Sequence, residues 1–283
     1  MPSSVVGLIH PGEMGVTVGA AARSAGARVL WASANRSAQT IARAADAGLE
    51  DAGTLDELVS ECQVILSVCP PHAAVSVAEA VAGMGFGGVF IDANAVSPDT
   101  ARKASRMVET TGATFVDGGI IGPPAKAAGT TRIYFSGPGA DTAAALFEGS
   151  LLDAHVITGE AGAASALKMA YAAWTKGSAA LLIAIRALAS AENVEEPLFR
   201  EWAISQAGLE ARSNQAARAN AVKAWRFVAE MHEIADTFAG AGLPDGFHRA
   251  AAEIYASLEG FKDCSPPPEP TQVVAQALKA GAR

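Results

Sequence analysis

The apolar positions of this chain change period about halfway along. In the first half, short apolar runs of strand length alternate with helix-like stretches of small and apolar residues; in the second half helical periodicity takes over. Val5-Val6-Gly7-Leu8-Ile9 is the first apolar run. It ends in the turn His10-Pro11-Gly12-Glu13-Met14-Gly15, ahead of a helical stretch that reaches Ala25. Gly26 reads as the C-cap of that helix and Arg28 to Ala32 as a second strand. Thr54-Leu55-Asp56-Glu57 has capping-box spacing and opens a short helix ending near Cys62, after which Val64 to Cys69 reads as a fully buried strand stopped by Pro70-Pro71. Gly88 to Asp92 and Ala113 to Val116 are further strands, each preceded by a helix-like segment. Such alternation predicts an α/β domain built on a parallel, doubly wound sheet.

From about Ala161 the pattern changes. Ala161 to Asn193 holds no proline and a single internal glycine, Gly177, and predicts one long helix of roughly 30 residues. Pro197 to Ala211, Ala216 to Gly240 and a segment from Gly246 to Leu258 continue as helix. Cys264 to Pro270 is a proline-rich linker, and Thr271 to Ala280 is a last short helix. The expected organisation is a sheet domain over 1–160 and an all-helical domain over 161–283, with the boundary near Gly159.

Composition narrows the functional classes. The chain has 283 residues, half of them apolar, enough for two cores. A formal charge of -8 without any run of Lys and Arg argues against a nucleic-acid surface. The three cysteines, Cys62, Cys69 and Cys264, carry no metal-ligand spacing and read as reduced thiols, so no metal site is expected. The most apolar run, Ala179 to Ile185, is too short to span a bilayer, and Lys168, Lys176 and Arg186 interrupt the long helix; the expected location is the cytoplasm.

The candidate chemistry begins at the first turn. In the pattern G-x-G-x-x-G the first glycine makes the tight turn, the second admits a pyrophosphate and the third lets helix and strand pack. Gly12 and Gly15 fill the second and third places, while His10 stands at the first. Roughly 20 positions beyond such a turn an acidic residue binds the adenosine ribose in NAD-binding versions. Ser33 stands there instead, followed by Asn35, Arg36 and Ser37. Without a carboxylate, and with a guanidinium able to pair with a 2′-phosphate, NADP is favoured over NAD. Ligands bind beyond the carboxyl ends of such strands, where His10-Pro11-Gly12, Pro70-Pro71-His72, Asp92-Ala93-Asn94 and Asp117-Gly118-Gly119 fall, and Cys69 and Pro70 are counted with the cofactor site. Asn94 can donate to and accept from a substrate or the nicotinamide, and Gly118 and Gly119 suit a backbone grip on a carboxylate. Ser97 is an N-cap, with Pro98 at the first helical position. At 100° per residue, Lys168, Tyr171, Thr175 and Ser178 form one polar stripe of the long helix, and a partly buried lysine there is suited to proton transfer.

Taken in order, G-L-I-H-P-G-E-M-G, Asn35-Arg36-Ser37, D-A-N-A-V-S-P, V-D-G-G-I-I-G-P-P-A, A-G-T-T-R-I-Y-F-S-G and G-A-A-S-A-L-K-M resemble the β-hydroxyacid dehydrogenases over about residues 5 to 175. That group includes 6-phosphogluconate dehydrogenase and hydroxyisobutyrate-type dehydrogenases. The resemblance implies an N-terminal Rossmann domain, a long interdomain helix, and a helical domain that supports a homodimer. It also implies that Lys168 exchanges a proton with the substrate oxygen during hydride transfer, with Asn94, Ser97, Gly118 and Gly119 anchoring substrate. The departures are specific. Relatives carry Asn, or His-Asn, three and four residues after the lysine, where this chain has Tyr171 and Ala172. A phenol at Tyr171 could donate a hydrogen bond or act in proton transfer, and with Met169 and Trp174 it suggests a less polar substrate than a sugar acid phosphate. His232 lies near where relatives carry a Lys-Asp pair. Three readings follow: an NADP-dependent dehydrogenase or reductase of a small β-hydroxy acid or related compound, an imine reductase, and a silent NADPH-binding sensor.

Overall fold

The structure, a computed structural model, describes residues 4–281. It divides into two compact units, Met1–Met169 and Ala170–Arg283. The division falls inside the long helix, later than the expected boundary near Gly159.

The first unit runs β1 (Val5–Ile9), α1 (Glu13–Ser24), β2 (Arg28–Trp31), α2 (Ala38–Asp46), β3 (Glu50–Asp51), α3 (Leu55–Glu61), β4 (Val64–Ser67), α4 (Ala74–Gly83), β5 (Val89–Asp92), α5 (Pro98–Glu109), β6 (Thr114–Ile121), β7 (Thr131–Ser136), α6 (Ala140–Ala145) and β8 (Leu152–Val156), and then enters α7 (Ala163–Ala172). The strands form one sheet in the order β3-β2-β1-β4-β5-β6-β7-β8. Pairing is parallel throughout except between β6 and β7. The expected doubly wound sheet is present, extended by an antiparallel step and two strands that the apolar pattern did not announce.

Alternation along each strand builds both faces. Leu66, Ile91 and Val116 point to the core shared with α1, whereas their neighbours Ile65, Phe90 and Phe115 pack with Leu58, Val81 and Val108 on the other side. A strand buried on both faces must be apolar at successive positions, which is why these strands read as continuous apolar runs. Local signals set the helix starts. Thr54 and Glu57 close a reciprocal capping box at α3, and Ser97 accepts from Thr100 N–H at α5.

Three boundaries differ from expectation. Strand β4 stops at Ser67, two residues before Cys69. Strand β6 continues through Asp117, Gly118 and Gly119 to Ile121, because β7 pairs with it residue for residue from Asp117↔Ser136 to Ile121↔Arg132. The long helix is interrupted: a π-helical turn, Ala173–Gly177, joins α7 to α8 (Ser178–Ala191). The 100° periodicity that put Thr175 and Ser178 in line with Tyr171 does not hold through that turn.

The helical unit continues with α9 (Glu195–Ser205), α10 (Leu209–Ala221), α11 (Ala224–Gly240), α12 (Gly246–Ser257) and α13 (Pro270–Gly281). The break expected after Ala211 lies earlier, at Gly208, whose φ of 81° is left-handed, and a second lies before Ala224. The Lys176 carbonyl in the π turn accepts the Tyr255 hydroxyl at 2.8 Å, while the Lys176 ammonium pairs with Glu230 at 2.5 Å. Gly177 sits where a Cβ would come within 3.2 Å of the Phe247 ring. By length and composition alone the 29-residue stretch Ala163–Ala191 is apolar enough to cross a membrane. Its charges show a core helix instead: buried Arg186 pairs with Glu195 at 2.7 Å, donates to Asn214 at 2.5 Å and stacks over Phe199.

Candidate functional site

The turn after β1 keeps the dinucleotide geometry without its first glycine. His10 takes the left-handed φ of 65° that a glycine would supply. Its carbonyl accepts from Gly12 N–H at 2.7 Å, closing the turn. A Cβ on Gly15 would overlap that same carbonyl oxygen, so helix and strand approach this closely only over glycine. A Cβ on Gly12 would meet nothing nearer than 4.0 Å. The open side of the turn is therefore at Gly12, beside the N-terminus of α1, where Glu13 and Met14 begin the helix. From α2, Arg43 donates to the Pro11 carbonyl at 3.3 Å, a contact no sequence pattern suggested.

At the end of β2, Arg36 N–H closes a turn on the Ser33 carbonyl at 3.0 Å, with Asn35 at a φ of 61°. Ser37 caps α2 through Thr40 N–H. The Nε of Arg36 and the Nδ1 of His10 are both shielded from water and have no hydrogen-bond partner. Burial first, and the Arg36 guanidinium second, push the His10 imidazole down to about 4 from its ordinary 6.5. It is neutral near pH 7.

Between β4 and β5 the strand ends are tied by one amide. Asn94 is buried; its Oδ1 accepts from Cys69 N–H at 2.5 Å, and its Nδ2 donates to Ser67 Oγ at 3.1 Å. Asn94 N–H donates in turn to Asp92 Oδ1 at 3.0 Å. Two protein bonds leave this amide one N–H and one lone pair for a ligand. Burial pushes the half-buried Cys69 thiol up to about 12, so it stays protonated. Pro70 is exposed beside it.

The third cluster joins β6 to α7. Asp117 is fully buried; its Oδ2 accepts from Gly162 N–H and Ser165 N–H at 2.9 Å each, and its Oδ1 from Ser165 Oγ at 2.6 Å. Ser136 Oγ on β7 accepts from Ala164 N–H at 3.1 Å. Three N–H groups at the start of α7, which no turn of helix can satisfy, thus find acceptors on two strands. Burial pushes the Asp117 carboxyl above its ordinary range, opposed by these donors. Asp117 is a strap for α7, a role its place before a glycine pair had hidden. Close approaches explain the glycines as well. A Cβ on Gly119 would lie 2.6 Å from the Ala164 carbonyl and 3.1 Å from Lys168 Cβ, and one on Gly118 would press on Asp92 and Ala93 at 3.0 and 3.2 Å. Close packing accounts for both, under the lysine helix at Gly119 and against the end of β5 at Gly118, independently of any carboxylate grip. Half-buried Lys168 therefore rests on β6, one strand over from β5, which Ala93-Asn94 follow. Beyond β6, Gly122 has a φ of 123° and Ala125 N–H donates to Thr17 of α1 at 3.1 Å, bringing an unforeseen Gly-Pro-Pro loop onto the first helix.

In the first unit the structure thus gathers His10 to Gly15, Ser33 to Ser37, Cys69, Asn94, Gly118, Gly119 and Lys168 on the carboxyl-end side of one sheet. Ser97 is buried and engaged in capping. Tyr171, Trp174 and His232 belong to the helical unit, where all three are exposed.

The residues fit a dinucleotide: an open cradle at Gly12, a helix N-terminus facing it, and two orphaned nitrogens beyond β1 and β2. The profile of the NAD binding domain of 6-phosphogluconate dehydrogenase matches residues 5–154, and a domain of unknown function (DUF1932) matches 189–258. Among solved structures, a conserved hypothetical protein from Sinorhizobium meliloti 1021 is 27% identical, with 98% of this chain and 96% of that chain covered and a TM-score of 0.72. The 3-hydroxyisobutyrate dehydrogenase of Mycobacterium tuberculosis (19% identity, 96% and 98% covered, TM-score 0.71) and an imine reductase of Streptomyces aurantiacus (20%, 99% and 100%, 0.55) share the fold. No curated protein matches the chain in sequence. With its NAD(P)-binding sheet unit and all-helical second unit, the chain belongs to the 6-phosphogluconate dehydrogenase-like family of β-hydroxyacid dehydrogenases.

Proposed function

We propose that this protein is an NADP-dependent oxidoreductase acting on a small β-hydroxy acid or a related hydroxyl or carbonyl compound, with Lys168 as general acid and base. The observation that carries the proposal is the placement of Lys168: a half-buried lysine on a helix strapped by Asp117 and seated on Gly119, on the carboxyl-end side of the sheet. The nicotinamide, when bound, supplies or accepts the hydride. The backbone of the turn His10 to Gly15 would hold the pyrophosphate, Arg36 with Ser33, Asn35 and Ser37 the 2′-phosphate, and Cys69, Pro70 and Asn94 the nicotinamide end. Lys168 takes the proton from the substrate hydroxyl in oxidation and returns it in reduction. Asn94 and Ser97 are the proposed substrate anchors of the sheet unit, Tyr171 a proposed assistant of Lys168 in the proton transfer, and Trp174 and His232 proposed substrate contacts; Gly118 and Gly119 contribute by close packing, Gly119 seating the Lys168 helix.

Imine reduction is the second reading. It is favoured by Tyr171, a phenol where relatives carry an amide, and by the fold shared with an imine reductase. A panel of hydroxy acids, ketones and imines followed by NADPH absorbance separates these readings from a silent sensor, which binds NADPH and turns over nothing. Equal affinities for NADPH and NADH would overturn the cofactor assignment. The protein is also proposed to form a homodimer and to work in the cytoplasm. Exposed apolar side chains on the helical unit support the dimer, Leu188 at 63% and Ile204 at 82% exposure among them, and sedimentation tests it.

A further inference from the structure

We propose that His10 is a specificity-determining residue for the 2′-phosphate of NADP, acting beside Arg36. The inference rests on the NADP reading above and adds to it a residue that the dinucleotide pattern reserves for glycine.

Three observations carry it. First, position 10 has a φ of 65°, which glycine adopts freely and a side chain only at a cost. Second, the protein makes no hydrogen bond with the Nδ1 this side chain brings: the atom is shielded from water and partnerless, which is a further cost. A strained residue whose polar atom finds no use within the chain points to a ligand. Third, Arg36 is in the same condition. Its Nε is shielded and unpartnered, and among the described residues its side chain has no ion pair. The two residues follow strands that pair directly, Leu8↔Trp31, and the guanidinium is near enough to disfavour the imidazolium.

A neighbouring imidazole and guanidinium are satisfied together by an anion with several acceptor oxygens. A phosphate fits that description, since it can accept from Arg36 Nε–H and from the imidazole at once. The ribose hydroxyl of NAD offers one acceptor and no charge. No carboxylate competes at Ser33, and the nine-residue α2 starts just beyond, at Ala38 after its N-cap Ser37. His10 therefore adds affinity to the phosphorylated cofactor alone.

The test uses the full chain and calorimetry with adenosine 2′,5′-bisphosphate against AMP, then NADPH against NADH. In His10→Gly the bisphosphate should bind about tenfold more weakly or worse. AMP should hold within about twofold, and Tm should not fall because glycine accepts the turn. His10→Asn, which tolerates the left-handed turn and keeps a donor, should lie between wild type and His10→Gly. Equal weakening of both nucleotides, or of neither, in both variants would overturn the inference while leaving the NADP reading intact. A wild-type protein that does not distinguish bisphosphate from AMP would overturn the NADP reading, and this inference with it.

Discussion

Two glycine-bearing stretches of the sheet unit invert what their sequences suggest. The turn His10 to Gly15 looks damaged because its first glycine is missing, yet His10 supplies the left-handed geometry, Gly15 the close packing and Gly12 the open face. The stretch Asp117-Gly118-Gly119 looks like a ligand grip, yet its carboxylate straps a helix, Gly119 admits that helix and Gly118 admits the end of β5. The difference lies in what approaches each backbone. At Gly12 nothing in the protein does; at Gly119 the carbonyl of Ala164 does. A glycine is functional where the space over it is open, and structural where another part of the chain fills that space.

Four substitutions or conditions sharpen that contrast, taken from the largest effect. Asp117→Ala leaves three buried donors, Gly162 N–H, Ser165 N–H and the Ser165 hydroxyl, without their acceptor. At about 1–3 kcal/mol for each unsatisfied donor, the loss should reach about 3 kcal/mol or more in denaturant unfolding. Gly119→Ala forces α7 off the strand and should cost about 1–3 kcal/mol, with kcat falling more than NADPH affinity because it is Lys168 that moves. Gly12→Ala should leave stability within about 0.5 kcal/mol, its Cβ having free space, while weakening NADPH several-fold as measured by titration. If Gly12→Ala instead destabilised and Gly119→Ala spared the fold, the contrast would be reversed.

The smallest effect is on pH dependence. His10 is held at about 4 in the folded protein against 6.5 ordinarily. Between those values the unfolded chain binds the proton and the folded chain does not. This contribution to stability is therefore complete above 6.5, and it is lost as pH falls toward 4. The Tm difference between wild type and His10→Gly should drift against wild type as the pH is lowered across that window.

What could be read from the sequence was local. The strand, turn and helix from Val5 to Ser24, the Thr54–Glu57 box and the Ser97 cap all depend on residues within a few positions of one another, and all are present. What was missed depends on pairing at a distance. The extension of β6 needs β7, and the function of Asp117 needs Ser165, 48 residues on. The π turn leaves the same apolar pattern as an α-helix, and Gly177, packed under Phe247, was its single trace. The candidate site divides the same way. Its glycines and Arg36 were visible as motif positions, but the left-handed His10, the Arg43 contact and the strap under Lys168 become visible only when the strands are paired.

The central claim is that Lys168, seated on β6, moves the proton. Its most direct test is Lys168→Ala in the full chain, with turnover of the best substrate from the panel measured beside NADPH affinity. Proton transfer by a positioned side chain contributes about 10²–10⁴-fold, so kcat should fall by that factor while NADPH binding stays within about twofold. Turnover that survives the substitution unchanged would contradict the account.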